Sequence, residues 1–393
     1  MANTLVVVPS VPAAPDGDGF FLDRKAVEGQ ALFVELWPGP VRFLMRPGDR
    51  SAIAFGQHYR RDELPCEIRL IPDDPTDLPG AFDDAAVILA AADSHNDLTI
   101  ADRATAPVVY IIEYTLATRL RINQLYNGWS LRGLKTGLWT IKTEIARRRA
   151  MRRAAGLQCN GTPAFAAFGP LSANPMLYFD TRVTEAQQID ATALQNKKAA
   201  IRSGRPLRIA FSGRLDAMKG VDHLIPVAAA LAALGVDFHL DIYGDGSLRD
   251  RLAEQIAAKG LADRVTMHGP VSFNDDLVPA MIGHTDLFLC CHRQADPSCT
   301  YLETLSCGVP IVGYGNDAFR GVARLGEIGT VVAMNDIAGA AAAIAALDAD
   351  RPRLAAMADA AAKAGRDHSF EREFGARIAH LRAIADAGGR GGA

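Results

Sequence analysis

Two stretches of the chain carry side chains whose types and spacing suit a phosphorylated ligand. The first is Phe211-Ser-Gly-Arg-Leu-Asp-Ala-Met-Lys-Gly220, an apolar run ending in a glycine turn with Arg214 and, five residues on, Lys219 at the expected start of a helix. In an open α/β sheet, ligands sit beyond the carboxyl ends of the strands, where an anion meets free backbone N–H groups and the positive end of a helix. A diphosphate suits that place. Arginine forks onto phosphate oxygens and lysine supplies a compact charge, so the two neutralise the charge that grows on a departing diphosphate. The other reading is a solvated turn with two surface cations.

The second stretch is Asp296-Pro-Ser-Cys-Thr-Tyr-Leu-Glu303-Thr-Leu-Ser-Cys-Gly-Val-Pro-Ile-Val312. Asp286–Cys291 reads as a strand, Ser298 as the N-cap of a short helix, Gly308 as its end and Pro310–Val312 as the next strand. Glu303 lies one turn inside that helix. With Leu302, Leu305 and Val309 available for packing, its carboxylate faces the crevice, where it accepts two hydroxyl hydrogen bonds from a ribose. The N–H groups of Cys299 and Thr300 face the phosphate or the sugar. The alternative leaves Glu303 as an ordinary exposed helix residue.

Positioning these groups requires parallel strands, and the apolar runs supply them. Leu5–Val8, Val41–Leu44, Ile68–Ile71, Ala86–Leu89, Val108–Ile112 and Gly156–Cys159 are expected strands in the first half. Leu207–Phe211, Phe238–Ile242, Val265–His268, Asp286–Cys290, Pro310–Gly313 and Gly329–Ala333 follow, separated by helical patterns at about 218–234, 247–259, 274–283, 299–307 and 336–347. This alternation predicts an α/β fold of two Rossmann-like, doubly wound domains. The boundary falls in the proline-bearing, weakly periodic stretch 160–205: residues 1–175 form one domain and 176–369 the other. A last helix spans about 370–386, and the glycine-rich 387–393 is expected to be a disordered tail.

At 393 residues two domains are the ordinary expectation, and no run of eighteen apolar residues suggests a membrane span. The amino terminus shows no cleavable signal pattern, so a soluble, cytoplasmic protein is expected. Six cysteines include no Cys-x-x-Cys pair and read as reduced thiols. A net charge of −3 hides an uneven distribution: residues 113–153 hold ten cations against Glu113 and Glu144. Tyr126, Trp129, Leu134, Leu138 and Trp139 are interleaved with those cations. The favoured reading packs these aromatics into the N-terminal core; the other is a peripheral surface for anionic lipid headgroups, at the inner face of the membrane, or for an anionic acceptor. Nucleic acid is not an expected partner, because no binding motif accompanies the charge.

Taken in order, these segments resemble the retaining GT-B glycosyltransferases, in particular family 4 (glycosyl transferases group 1). The match continues through Tyr243-Gly-Asp-Gly246 with Leu248 and Arg249, Val265-Thr-Met-His-Gly269, Thr285-Asp-Leu-Phe-Leu289, Leu302-Glu303 and Cys307-Gly-Val-Pro-Ile-Val312. The resemblance implies two domains facing across a cleft, the last helix crossing back to the first domain, and hexosyltransferase-type transfer from a nucleoside-diphosphate sugar, with retention. It implies that Arg214 and Lys219 hold the donor diphosphate beside Gly213 and Gly244. Backbone at Met267, His268 and Gly269 would recognise the base, Ser298, Cys299 and Thr300 would line the donor site, and Glu303 would bind ribose. The family's other acid stands eight residues before Glu303, where this chain has Ala295; Asp296, one residue later, is the candidate to replace it. Neither a cofactor nor a metal is expected, since these enzymes resemble one another in using basic side chains instead.

In the first half, Gly17 and Gly19 of Asp16-Gly-Asp-Gly-Phe20 form the expected glycine-rich loop, which would let backbone approach the donor closely. His95 and Asn96 are acceptor-side candidates, and Glu113 and Tyr114, at a strand end, are candidates near the reacting carbon. Two rival readings are a non-catalytic GT-B binding subunit, suggested by Ala295, and a nicotinamide-dependent oxidoreductase. The second lacks a Gly-x-Gly-x-x-Gly after a strand.

Overall fold

The computed structural model describes residues 3–390 except 54, 55 and 296. In the N-terminal half the strands are β1 (Thr4–Val8), β2 (Ala14–Asp16), β3 (Gly19–Asp23), β4 (Val41–Met45), β5 (Gly56–Arg60), β6 (Glu67–Leu70), β7 (Ala85–Ala91), β8 (Val108–Ile112), β9 (Gly156–Asn160) and β10 (Pro175–Tyr178). Seven of them pair in parallel in the order β10-β9-β8-β7-β1-β4-β6. The central strands are apolar without interruption because both faces of the sheet are covered. Side chains alternate between faces, and the core divides accordingly: Leu5, Val7, Val87 and Leu89 pack into one cluster, while Val6, Val8, Ile88 and Ala90 pack into the other.

The C-terminal half holds β11 (Leu207–Ser212), β12 (Phe238–Tyr243), β13 (Val265–Gly269), β14 (Leu287–Cys290), β15 (Ile311–Tyr314) and β16 (Gly329–Val332), all parallel, in the order β13-β12-β11-β14-β15-β16. Chain order reverses between β11 and β14, and likewise between β1 and β7. In a doubly wound sheet these are the crevices where ligands bind. Pro226 falls in the first turn of the helix Leu224–Ala233, where a missing N–H costs nothing.

The C-terminal helix Phe370–Arg390 crosses back to the N-terminal sheet. Phe374, Ile378, Leu381 and Ile384 recur at helical spacing and join the core cluster on one face of that sheet, Phe374 lying edge-on to Phe33 with ring centres 4.8 Å apart. Gln158 donates to the Arg377 carbonyl at 3.0 Å and accepts from the Arg377 guanidinium at 2.9 Å.

Four features differ from the sequence reading. First, β10 extends the N-terminal sheet past residue 175; as an edge strand that starts on proline and has one neighbour, it shows no alternation to read. Second, the last helix continues through Arg390 into the segment expected to be a tail, because each added residue gains a hydrogen bond once the docked turns have nucleated; residues 391–393 lie outside the described residues. Third, the expected glycine-rich loop is the turn of an antiparallel ribbon of β2, β3 and β5. Gly17 takes φ +59° there, and a Cβ on Gly19 would lie 1.9 Å from the Tyr59 carbonyl oxygen.

Fourth, the aromatics of the basic stretch do not enter the core. It folds as two helices, Leu116–Asn127 and Leu131–Arg153, with Trp129 81% and Leu138 70% exposed. The face turned inward carries Gly133, Thr140, Thr143, Glu144 and Arg147 before Ala150 and Met151 join the core at its last turn, so along most of the helix polar groups take the place of apolar packing. Helical spacing in a sequence shows that a helix has two faces, but not which one is buried.

Candidate functional site

The loop after β11 and the segment after β14 meet at the reversal point of the C-terminal sheet. Lys219 is brought there by a short 3-10 turn, Ala217–Lys219, whose N-cap Asp216 accepts from the Lys219 N–H at 3.0 Å. Gly220 follows at φ +63°, and a Cβ on it would lie 2.0 Å from the Cys291 carbonyl oxygen, so only glycine lets the two segments approach this closely. Arg293 clamps them further. Its N–H donates to the Met218 carbonyl at 2.9 Å, and its guanidinium grips Asp222 through two bonds of 2.8 and 2.9 Å.

Lys219 is 8% exposed, and its Nζ donates to Ser298 Oγ at 3.4 Å. Ser298 therefore does not cap the following helix as expected. That helix runs Thr300–Ser306 with Cys299 at its N-cap position, and the Cys299 thiol donates to the Asp180 carboxylate at 3.0 Å. Arg214 sits on the same loop as Lys219 but is largely exposed, with its guanidinium 3.7 Å from Asp216. Asp296 lies outside the described residues.

Glu303 is 9% exposed and is gripped by a residue the sequence reading did not single out. Arg182, from the segment joining the two domains, donates Nε to Glu303 Oε1 at 2.7 Å and lies over the Phe273 ring, 4.2 Å from its centre. Burial alone would lower the Arg182 pKa, but the Glu303 charge and hydrogen bond outweigh it and hold the guanidinium above its ordinary value. The signal available in the sequence was a cation in an otherwise unremarkable linker, 121 residues from its partner.

The strand ends facing this pair are built from glycines. A Cβ on Gly244 (φ +125°) would lie 2.0 Å from the Gly213 carbonyl oxygen, and the Gly244 N–H donates to the Gly269 carbonyl at 2.8 Å. The backbones after β11, β12 and β13 thus lie directly against one another. Met267 is half-buried, while the His268 ring stacks on Tyr243 with centres 4.5 Å apart and bonds Asp241 at 2.7 Å.

Between β14 and the 300–306 helix, His292 is fully buried, and neither of its ring nitrogens has a partner among the described residues; Gln294 Oε1 is likewise unpaired. Burial, with the Lys219 charge second, pushes the His292 pKa well below its ordinary value, so the ring is neutral. Unpaired buried polar atoms cost free energy, and such costs gather where a fold serves a ligand.

Across the cleft, Asn160 and Gly161 at the end of β9 face Asp180, Pro297, Ser298 and Tyr301 around a pocket shared by both domains. Thr118 donates to the Ala295 carbonyl at 3.4 Å, bringing the 116–127 helix to the cleft as well. His95 and Asn96 line a second concavity with Asp73, Asp74 and Thr99, beyond the ends of β6 and β7. Glu113 and Tyr114, after β8, are held by their backbone: the Glu113 N–H donates to Asp93 at 2.9 Å, and the Tyr114 carbonyl accepts from Arg147. Gly17 stays in the hairpin turn between β2 and β3 and Gly19 starts β3, where Asp16 and Asp18 face His58, Arg50 and Arg60.

Residues 194–364 match the family model described as "Glycosyl transferases group 1". Among curated proteins, the chain is 36% identical over 126 residues to the alpha-D-kanosaminyltransferase of Streptomyces kanamyceticus, a span of 32% of this chain and 31% of that protein. It is 31% identical over 169 residues to the lipopolysaccharide core biosynthesis mannosyltransferase LpsB of Rhizobium meliloti, 41% of this chain and 47% of that one. The chain thus spans about a third to a half of the length of these relatives. Among solved structures, Anabaena Alr3699/HepE in complex with UDP superposes with a TM-score of 0.67 at 14% identity, covering 97% of this chain and 99% of that one. Residues 194–364 of this chain are therefore similar to a glycosyl transferases group 1 domain, and they lie in a two-domain fold that the chain shares with HepE.

Proposed function

We propose that the protein is a glycosyltransferase that moves a sugar from a nucleoside-diphosphate sugar to an acceptor hydroxyl, with retention, in the cytoplasmic assembly of a glycan, polysaccharide or glycoconjugate. The observation that carries this reading is the contact between Lys219 and Ser298 at the sheet's reversal point, Ser298 standing five residues before the Glu303 that Arg182 grips. In the reaction the bond from the anomeric carbon to the phosphate oxygen breaks, one to the acceptor oxygen forms, and the acceptor's hydroxyl proton passes to the departing phosphate oxygen. Lys219 and Arg214 meet the negative charge left on the diphosphate. Charge is then supplied by side chains, without a metal or cofactor.

Glu303, oriented by Arg182, takes the ribose hydroxyls, and the backbone of Met267, His268 and Gly269 meets the base. Gly213 and Gly244 let the phosphates approach, with Ser298, Cys299 and Thr300 opposite. The acceptor enters from the N-terminal side, past His95 and Asn96, toward Glu113 and Tyr114. Six free cysteines suit a reducing compartment. HepE, which shares the fold, was solved with UDP, and this supports a nucleotide in the cleft.

The test begins with thermal shifts against UDP, GDP and ADP, then with their sugars, because a ligand that binds only the native state raises its apparent stability. One nucleotide is expected to raise the Tm, and its sugar to be transferred in a manner lost in Glu303→Ala. A Tm shift without transfer would make the chain a binding subunit; no shift with any nucleotide would remove the reading altogether. Arg182→Gln is expected to weaken the same nucleotide about tenfold in calorimetry, since it frees Glu303 from the orientation in which a ribose meets it. Unchanged affinity would leave Arg182 a structural residue.

A further inference from the structure

The helix Leu131–Arg153 turns an apolar stripe to solvent. Leu131, Leu134, Leu138, Ile141 and Ile145 recur at alternating steps of three and four, and they are 87, 51, 70, 48 and 73% exposed. At the tip of the hairpin Trp129 is 81% exposed and Tyr126 61%. Contiguous exposed apolar surface on this scale marks a site of association.

Charge selects the occupant. Lys135, Lys142 and Arg149 recur every seven residues beside the stripe, all exposed, and none has an ion pair among the described residues. The hairpin from 116 to 153 contains one acid, Glu144, and it is buried. Two copies packed seam to seam would set these cations against each other with no carboxylate between them. A bilayer with anionic headgroups offers an apolar boundary and negative charge together, and exposed tryptophan and tyrosine suit its interface. The surface also adjoins the acceptor side of the cleft: Trp139 packs edge-on against His95, ring centres 5.9 Å apart, and Thr118 reaches Ala295.

We propose that the 116–153 hairpin docks the protein on an anionic lipid bilayer, with the Leu131–Ile145 stripe in the headgroup boundary and Lys135, Lys142 and Arg149 on lipid phosphates. This role is separate from the proposed reaction, and its test uses no sugar transfer. The full chain is sedimented with vesicles of phosphatidylglycerol and phosphatidylcholine, or of phosphatidylcholine alone. At least tenfold more protein is expected on the anionic vesicles, with binding falling as salt is raised. Leu138→Gln/Ile145→Gln and Lys135→Glu/Lys142→Glu are each expected to lower it at least tenfold at unchanged Tm, because all four side chains face water. Protein that stays in the supernatant with anionic vesicles, or binding equal to the parent in both variants, overturns the proposal. So does a dimer seen by light scattering that Leu138→Gln dissolves, which would give the stripe to a second copy.

Discussion

Lys219→Ala is expected to lower the rate of sugar transfer about 100- to 1000-fold, the loss that follows removal of one preorganised donor to a developing anion, while stability changes by no more than about 1 kcal/mol. Both halves of this expectation come from how the loop is built. Its course is fixed by groups other than the lysine side chain: the Asp216 cap, the close approach at Gly220 and the grip of Arg293 on Asp222. Deleting the side chain removes methylene packing, but it also removes a cation held at 8% exposure, and these effects oppose each other. Arg214→Ala serves as the comparison. That guanidinium is 66% exposed, where water and salt screen it, so a loss of about tenfold is expected. Transfer rates at saturating donor, with Tm measured on the same preparations, check both. A Lys219→Ala enzyme as fast as its parent would end the role given to this loop.

The C-terminal half was largely legible because its chemistry is local in sequence. Gly213, Gly244 and Gly269 each stand at the end of an apolar strand, and Ser298 and Glu303 are five residues apart around one helix start, so composition and spacing place them without knowledge of distant contacts. What was not legible depends on long-range pairing. Arg182 gains its role from Glu303, 121 residues away, and Arg293 from Asp222, 71 residues away. The ribbon of β2, β3 and β5 was hidden because its strands are short and rich in turn residues, and because β3 and β5 pair across an intervening helix and strand. The basic helix shows a different limit. Its apolar spacing is regular, yet the regular face is the exposed one, because Arg147 and Glu144 satisfy each other inside.

That inward pair supports the second large effect. Arg147→Met is expected to destabilise the N-terminal domain by about 3–5 kcal/mol, the cost of leaving a buried charge without its partner. The guanidinium is 2% exposed; Nε donates to the Ala92 carbonyl at 2.9 Å, Nη1 to Glu144 at 2.9 Å and Nη2 to Asp93 at 2.7 Å, with the Tyr114 carbonyl at 3.2 Å. Methionine fills much of the volume and supplies none of these donors. Glu144 keeps the Arg148 Nε on its other oxygen at 3.0 Å, with Arg119 3.6 Å away, so Asp93 is the carboxylate left without a guanidinium. Burial already raises the Asp93 carboxyl above its ordinary pKa against the pull of Arg147, and in the variant it rises further. A carboxyl whose folded pKa lies above its unfolded one contributes stability that is complete below the unfolded value, about 3.9, and is lost as pH climbs through the folded one. The deficit of Arg147→Met relative to its parent should therefore be smaller at pH 5 than at pH 8, as read from urea unfolding at the two values. Because Asp93 also accepts from the Glu113 N–H and Arg147 holds the Tyr114 carbonyl, the same substitution loosens the end of β8 that faces the cleft. Adding Asp93→Asn to Arg147→Met removes the charge left without its guanidinium, Glu144 keeping Arg148 at 3.0 Å, and is expected to restore most of the stability; a double variant no more stable than the single one would place the loss in packing instead.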